Sequence, residues 1–396
     1  MTSVREPTAE RAARLVERFG SPLYVYDAER VRAAFRDFAA AFPYAPVDFH
    51  YAIVCNKNQH LVRLLHSLGV GIHANTPGDA HAALAAGVPA SRILYSGTNL
   101  DAADLTYLLG HGIRLNLDSL DQLRDFATHC PGGAVGLRLL VDDPQRPNRI
   151  GVDPAELPEA LAIARSAGLR LIGLHMYAGT NNLSLSRFRT CFDRLLAAAE
   201  LLPDLEEVDV GGGFGVPYRE ELDPLPLPVL GREVADKLET LSTRRGRRLR
   251  LVVEPGRVLV AEAGSLLVKV LSVKERGGRR YVGVDSTVGN IVVRSVYYPH
   301  HRIEALSPRG DALPLPTDVC GNTTHSRDYL ARDCQLPPLV PGDLLALRDV
   351  GAYGYAMSSH FLNRPRPAEV VLDGAETILT TRRETFADLL ATQVTP

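Results

Sequence analysis

Short apolar segments alternate with amphipathic segments over the first two thirds of the sequence. The apolar segments are rich in Val, Ile and Leu and have the length of buried strands, whereas the segments between them repeat apolar residues at helical spacing. Strand candidates lie at 47–53, 69–74, 92–96, 112–117, 134–141, 168–175, 205–210 and 249–253. Helical candidates lie between them at 59–68, 77–87, 101–110, 119–129, 155–167, 184–202 and 231–244. Eight strand–helix repeats predict an α/β fold of the (β/α)8 TIM-barrel type, and an open α/β sheet of the same content is the alternative.

The pattern changes after about residue 258. Strand-like segments now follow one another with few helices between them, at 265–273, 280–284, 342–347 and 368–372. Before the barrel, a helix is predicted at 8–19, a strand at 22–27 and a helix at 28–42. The sequence therefore predicts an N-terminal segment at 1–44, part of which joins a β domain, a barrel at 45–257, and a mostly-β domain at 258–396.

Composition narrows the class of partner. The formal net charge is −2 and there is no basic run, so no nucleic-acid partner is expected. No apolar run has the length of a membrane span, and the first residues have no signal-peptide core, so no membrane partner is expected. The five cysteines are scattered and form no CxxC pair, which favours a reduced, cytoplasmic protein without a zinc site.

Polar residues gather where the predicted barrel strands end. The active site of a (β/α)8 barrel lies at this end, because the loops that follow the strands meet there. The strand ends carry Cys55-Asn56, His73, Asn75, Ser96, Asn116, Arg138, His175 to Thr180, Gly211 to Gly213 and Glu254 to Arg257. The sequence therefore predicts a ligand site at this end of the barrel.

Two loops on neighbouring strands favour a phosphate group as part of that ligand. The glycines Gly211, Gly212 and Gly213 allow backbone N–H groups to approach an anion closely, although glycine runs are also common in plain turns. Glu254-Pro-Gly-Arg257 places an acid and a guanidinium on a rigid turn, which an internal ion pair would also explain. Because these loops follow strands seven and eight of the barrel, where such folds often bind phosphate, phosphate is the favoured interpretation.

Five motifs together resemble a known family. They are Tyr51-Ala-Ile-x-Cys-Asn56, His175-x-Tyr-x-Gly-Thr180, Gly211-Gly-Gly-Phe-Gly215, Glu254-Pro-Gly-Arg257 and Gly351-Ala-Tyr353-Gly. From about residue 20 to 380 the chain resembles the fold-type III, pyridoxal-phosphate-dependent amino-acid decarboxylases, the group of diaminopimelate and ornithine decarboxylases. This resemblance implies an alanine racemase-like barrel, a pyridoxal 5′-phosphate cofactor, an amino-acid-like small-molecule substrate, and a homodimer in which two chains share each active site.

The resemblance also implies roles for individual residues. Glu254 would face the pyridine nitrogen and keep it protonated, which makes the ring an electron sink. Tyr177 stands where the family usually has a ring-stacking histidine. The cofactor-binding set implied by the resemblance is Arg138, His175, Thr180, Gly211, Gly212, Gly213, Glu254, Gly256, Arg257 and Tyr353. Arg294 and Tyr298 match residues that bind the substrate carboxylate in the diaminopimelate branch.

The residue at the end of the first barrel strand departs from the family. The family has a lysine there that forms an imine with the cofactor, and the matching residue is Val54, which cannot form one. Lys57 lies three residues further on, either as a solvated loop residue or as a displaced imine-forming lysine. Any bound cofactor is therefore expected to be held noncovalently.

A second departure lies in the β domain. Thr324 stands where the family has a cysteine that donates a proton, and Cys320 could replace that cysteine only if the loop were rebuilt. His325 stands where the diaminopimelate branch has a glutamate that binds the distal ammonium group, whereas Asp328 is retained. These changes predict that the substrate is not diaminopimelate.

The resemblance and the departures leave two functions open. The first is a carbon–carbon lyase that decarboxylates an α-amino acid or an amino-acid-derived biosynthetic intermediate. The alternative is a catalytically silent or chemically altered homologue that binds a phosphorylated planar ligand and a carboxylate. Whether valine at position 54 is natural or engineered also stays open.

Overall fold

The computed structural model describes residues 8–141, 148–293, 301–307 and 315–394. The chain forms two compact units. One comprises residues 34–217 and 223–259, and the other comprises residues 1–33, 218–222 and 260–396. Among the described residues, no helix combines the length and the apolar character needed to cross a membrane.

The first unit is built around a closed barrel of eight parallel strands. These strands are β2 (Val47–Ala52), β3 (Gly71–Ala74), β4 (Ile93–Tyr95), β5 (Arg114–Leu117), β6 (Ala134–Arg138), β7 (Arg170–His175), β8 (Glu207–Asp209) and β9 (Arg250–Val253). The helices after the first seven of them are α3 (Gln59–Ser67), α4 (Pro77–Ala85), α5 (Ala102–Gly110), α6 (Leu120–His129), α7 (Leu157–Ala167), α8 (Leu185–Ala199) and α9 (Leu227–Arg245). β2 pairs with both β3 and β9, so the barrel closes and the predicted (β/α)8 fold is confirmed over an open sheet.

Capping residues fix where several helices begin, and therefore where the strand-end loops finish. The side chains of Asn58, Thr76, Asp101 and Ser119 each accept a hydrogen bond from a backbone N–H in the first turn of the following helix. Such caps satisfy backbone donors that a helix start otherwise leaves unpaired. The loops between strand and helix are consequently short in this half of the barrel, and they hold the strand-end residues close to the barrel axis.

The second unit is mostly β. It begins with α1 (Ala9–Phe19), β1 (Leu23–Asp27) and the start of α2 (Ala28–Ala40), which ends in the first unit. Its further strands are β10 (Gly264–Arg276), β11 (Arg279–Val284), β12 (Ile303–Ala305), β13 (Leu315–Cys320), β14 (Tyr329–Leu336), β15 (Leu344–Arg348), β16 (Ala368–Asp373) and β17 (Glu376–Thr381). Its described residues also form the short helices α10 (Arg257–Val260), which begins in the first unit, and α11 (Phe386–Leu389). The sheet order is β14-β13-β11-β10-β1-β16-β17, and β15 pairs with β10 and β12. The predicted mostly-β domain is confirmed.

The N-terminal strand is integral to this sheet. β1 lies between β10, with which it runs antiparallel, and β16, with which it runs parallel. Its residues Leu23 and Val25 pack in an apolar core with Leu267, Val370 and residues of α1. The burial of four consecutive residues of β1 explains its almost continuous apolar sequence, because a central strand covered on both faces shows no alternation.

Candidate functional site

A buried carboxylate lies at the centre of the strand-end cluster. Glu254 follows β9, and its Oε2 lies 3.2 Å from Nε2 of His175, the last residue of β7. Its Oε1 lies 3.4 Å from Nε2 of His73 in β3. The two imidazole rings are stacked, with centroids 6.3 Å apart and an interplanar angle of 18°. Asp209, the last residue of β8, completes a group whose members are all at most 5% exposed.

Burial sets the protonation of this group. It raises the pKa of Glu254 to about 7, although Asp209 and the charge of Arg138 act in the opposite direction. Burial and the neighbouring Glu254 raise the pKa of Asp209 well above its ordinary value. Burial also lowers the pKa of His175 to about 4 and lowers that of His73. Near neutral pH the imidazoles are therefore uncharged, and burial favours the protonated form of the two carboxyl groups.

Several polar atoms of this group have no hydrogen-bond partner among the described residues. They are Oε1 of Glu254, Oδ2 of Asp209, Nδ1 of His175 and both ring nitrogens of His73. An unpaired buried polar atom costs about 1–3 kcal/mol, so such a group favours an occupant that supplies donors or positive charge. Donor atoms of His175, Asp209 and Glu254 all lie within 4.8 Å of one another, which is close enough for them to bind a metal ion as well. The sequence predicted no metal site, because only the cysteines were considered as ligands.

The glycine loop after β8 fits tightly between neighbouring loops. Gly211 and Gly213 have φ values of 65° and 90°. A Cβ atom on Gly211 would lie 1.9 Å from the carbonyl oxygen of Met176, and one on Gly213 would lie 2.1 Å from that of Gly179. Within the described parts of the chain, the N–H groups of Gly212 and Gly213 have no acceptor. The loop therefore offers two backbone donors to an anion at a place where no side chain fits.

Replacement of Gly213 by alanine is expected to destabilise the protein by at least about 3 kcal/mol, because the added Cβ meets backbone and the φ value disfavours L-residues. Urea denaturation followed by circular dichroism measures this change. Gly110→Ala is the matched control, since its Cβ meets nothing within 4 Å at the end of α5, and we expect a change within about 1 kcal/mol. Equal stability of the two variants would contradict the tight fit of the loop.

An aromatic face and a guanidinium lie near these loops. Tyr177, two residues after β7, is half-buried, and its hydroxyl group lies 2.9 Å from Oγ1 of Thr180. The Cζ atom of Arg138, at the end of β6, lies 5.5 Å from the centroid of the Tyr177 ring. Burial raises the pKa of Tyr177, so its hydroxyl group stays protonated and acts as a neutral hydrogen-bonding group.

Val54 lies in a single 3-10 turn, Ile53–Cys55, directly after β2, and it is 39% exposed. Lys57, the nearest lysine, is exposed in the loop before α3. The sequence has only four lysines. Of the other three, Lys237 pairs with Asp193 on the helical exterior of the barrel, and Lys269 and Lys274 belong to β10. Lys57 is therefore the single lysine in the strand-end loops of the barrel.

The remaining predicted residues belong to the second unit. Asp328 is buried and accepts hydrogen bonds from the N–H of Val288 and the hydroxyl groups of Thr287 and Thr323, so it holds the turn that carries Thr324 and His325. Thr324 is exposed, and the His325 ring lies 5.5 Å from that of Phe361. The half-buried residue Tyr353 has a φ of 62°. Arg294 and Tyr298 lie outside the described residues.

Asp209, the last residue of β8, is missing from the strand-end residues predicted from the sequence. His73, in β3, is among them, but no role was predicted for it. A polar residue at the end of a barrel strand points to the barrel mouth, and that signal could have identified Asp209 as well. The structure brings the predicted barrel residues His175, Glu254, Tyr177 and Arg138 together with them.

A (β/α)8 barrel whose mouth holds a glycine loop and a buried glutamate belongs with the barrel proteins suited to bind a phosphorylated ligand, and comparison with known proteins specifies the family. Residues 28–261 match the family model described as pyridoxal-dependent decarboxylase, pyridoxal binding domain. The chain is 33% identical to the diaminopimelate decarboxylase of Methanothermobacter thermautotrophicus, over 97% of this chain and 94% of that protein. It is 34% identical to that of Pseudomonas aeruginosa, over 96% of this chain and 94% of that protein.

A solved structure agrees with these relatives. Diaminopimelate decarboxylase from Helicobacter pylori, complexed with L-lysine, superposes with a TM-score of 0.87 at 28% identity and covers 96% of this chain and 98% of that one. The chain therefore belongs to the pyridoxal-dependent decarboxylase family. The resemblance identified from the motifs is confirmed, and pyridoxal phosphate is the cofactor that the family implies.

The residues at the barrel mouth fit this cofactor in two respects. The unpaired Oε1 of Glu254 is a buried acceptor suited to a protonated pyridine nitrogen, and the free N–H groups of Gly212 and Gly213 suit a phosphate. The resemblance implies a lysine at the end of β2 as a third feature, and Val54 stands there in this chain.

Proposed function

We propose that the chain binds pyridoxal 5′-phosphate without a covalent bond to lysine, and that it decarboxylates an α-amino acid or an amino-acid-derived intermediate. The observation that carries this proposal is the buried carboxylate of Glu254 with its unpaired oxygen, next to a glycine loop with free donors. Pyridoxal phosphate supplies an aldehyde for the substrate amine and a ring that accepts the electrons left when CO2 departs.

Each barrel residue has a role in this proposal. Gly211, Gly212 and Gly213, with Gly256 and Arg257, hold the phosphate. Glu254 would accept a hydrogen bond from the pyridine nitrogen at Oε1, while the uncharged imidazole of His175 holds its Oε2. Tyr177 offers a ring face, while Arg138 and Thr180 orient that ring. The resemblance alone implies a cofactor contact for Tyr353, and in the β unit Asp328 holds the turn with Thr324.

Val54 changes what the protein itself can do. A lysine at this position would bind the cofactor aldehyde and would move protons during the reaction. Valine offers no amine and can move no proton, and the hydroxyl group of Thr324 is a far weaker acid than a thiol. We expect turnover to be slow and cofactor retention to depend on noncovalent contacts alone.

The substrate is proposed only as a class. His325, in place of a residue that binds a distal ammonium group, favours a substrate with a neutral or anionic distal group. The relatives named above are diaminopimelate decarboxylases, so the comparisons do not support an exclusion of diaminopimelate. Arg294 and Tyr298 are proposed to bind the substrate carboxylate, and a homodimer with shared active sites is proposed from the family.

A decarboxylation assay tests the proposal. The purified full-length chain is incubated with pyridoxal phosphate and a panel that includes meso-diaminopimelate, lysine, ornithine, glutamate and neutral amino acids. We expect CO2 release and the matching amine by mass spectrometry for at least one substrate, and loss of both in Glu254→Gln. If the chain binds pyridoxal phosphate but releases no CO2 from any member, the alternative of a silent or altered homologue replaces decarboxylation.

A further inference from the structure

A pocket of about 410 Å³ lies on the sheet of the β unit and has no role in the proposed function. Its lining includes Ser272, Lys274, Arg276, Tyr281, Cys320 and Thr323. We call it the β10–β11 pocket. It is built entirely from β10, β11, β13 and the turn after β13, so its shape depends on one sheet alone.

Strand register explains how the pocket forms. Ser272, Lys274 and Arg276 alternate along β10 and therefore point to the same face of the sheet. On the paired strand β11, Tyr281 stands opposite Lys274, and Gly283 stands opposite Ser272. Gly283 leaves the floor open, since a Cβ there would come within 2.7 Å of the Ser272 hydroxyl oxygen.

Two cations, Lys274 and Arg276, line the pocket, and two carboxylates, Asp318 and Asp328, lie near its Cys320. Among the described residues, neither Lys274 nor Arg276 has an ion-pair or hydrogen-bond partner, and the hydroxyl groups of Ser272 and Tyr281 have none either. Neither carboxylate pairs with a cation of the pocket. Asp318 pairs with Arg279, and Asp328 accepts four hydrogen bonds, from Val288, Thr287 and Thr323.

We infer that the β10–β11 pocket binds a small oxyanion, a phosphate or a carboxylate, through Lys274 and Arg276, with the hydroxyl groups of Ser272 and Tyr281 as further donors. Two cations and two neutral donors around one concave surface match the several acceptor oxygens of such an anion. The wall at Thr323 belongs to the turn that carries Thr324 and His325, and the Thr323 hydroxyl group also donates to Asp328. Anion binding therefore acts on the position of this turn.

Cys320 provides a reporter inside the pocket, and Cys334 provides a control in the same unit. Both are half-buried, and Cys334 is not among the lining residues. The full-length chain is treated with iodoacetamide, with inorganic phosphate or with citrate, and alkylation of each cysteine is followed by peptide mass spectrometry. At an anion concentration of ten times the dissociation constant, we expect alkylation of Cys320 to slow about tenfold, with Cys334 unchanged. The stronger of the two anions identifies the phosphate or the carboxylate class.

Substitutions in β10 assign the effect to this pocket. Lys274→Ala and Arg276→Ala are each expected to weaken the anion affinity, measured by isothermal titration calorimetry, by about tenfold or more. Lys269→Ala removes the same charge from an exposed position of the same strand outside the pocket, and it should leave the affinity unchanged. Failure of both anions to protect Cys320, or protection that survives both substitutions, overturns the inference. Dissociation of an oligomer by Lys274→Ala without any anion effect overturns it too, since the pocket would then be a protein contact.

Discussion

Val54→Lys is expected to turn a noncovalent cofactor site into a covalent one. The added amine lies directly after β2 at a position that is already 39% exposed, so the longer side chain meets no closed core. With pyridoxal phosphate, the variant should develop an absorbance band at roughly 420 nm that borohydride abolishes, whereas the unmodified chain should not. Mass spectrometry should then find about one adduct per chain, on the introduced lysine.

Two controls make this result specific. Val54→Met adds a side chain of similar length without an amine, and it should give no adduct. Lys57→Arg removes the one natural lysine of the strand-end loops. Combined with Val54→Lys, it should leave the adduct on the introduced lysine unchanged. An adduct on Lys57 in the unmodified chain would show instead that this loop lysine forms the imine with the cofactor. Absence of an adduct in Val54→Lys would mean that position 54 does not face the cofactor.

Glu254→Gln should weaken the binding of pyridoxal phosphate by about tenfold to a hundredfold, because a charge-assisted hydrogen bond to the pyridine nitrogen becomes a neutral one. Equilibrium dialysis or an absorbance titration measures the dissociation constant. Glu262→Gln, an exposed position, is the matched control and should bind normally. The titrations are run with a chelator present, because His175, Asp209 and Glu254 also suit a metal ion.

The difference in cofactor affinity between the unmodified chain and Glu254→Gln should depend on pH. The pKa of Glu254 is raised to about 7, so the carboxylate is increasingly protonated below that value and cannot pair with a pyridinium. The ratio of the dissociation constants, Glu254→Gln over unmodified chain, should therefore rise between about pH 5.5 and about pH 8. The protonation of the phosphate is common to both proteins and cancels. A ratio that stays constant with pH would show that Glu254 does not pair with the cofactor.

The same carboxyl gives a test that needs no cofactor. Its pKa is raised on folding from an ordinary value of 4.5 to about 7, so the folded chain retains a proton that the unfolded chain has released. The contribution of Glu254 to stability is therefore full below about pH 4.5 and is lost as the pH rises through about 7. Relative to Glu254→Gln, the unmodified chain should lose about 3 kcal/mol of unfolding free energy across this range.

The barrel could be predicted from the sequence because each strand is a short apolar segment that ends at a polar residue. Predicted and observed strand bounds differ by a few residues, mostly at turns. The segment predicted at 69–74 begins at Gly71, since Gly69 adopts a φ of 87° that belongs to the turn after α3. The segment predicted at 134–141 ends as a strand at Arg138. Leu139 and Val141 follow it in irregular backbone but are buried like strand residues, so the apolar pattern could not show where the strand ends.

The candidate site could be predicted only where motifs carried it. Gly211 to Gly213 and Glu254 stood out as residue types at strand ends, and the geometry adds their free donors and unpaired oxygen. His73 was predicted only as a polar residue at a strand end and without a role, because its stacking on His175 depends on the closure of the barrel. The pocket around Lys274 could not be predicted either, since it requires the register of β10 against β11.

The position of β1 has a consequence for how the chain becomes a folded protein. Leu23 of β1 pairs with Ala368 of β16, which is 345 residues later. During synthesis β1 therefore emerges before the barrel and has no parallel neighbour until β16 follows it. The barrel lies between them in the chain, and apart from the closing pair of β2 and β9 its strands pair with the next strand in sequence, so it can assemble in the meantime. The exposed apolar strand during that interval is the segment most suited to protection by a chaperone.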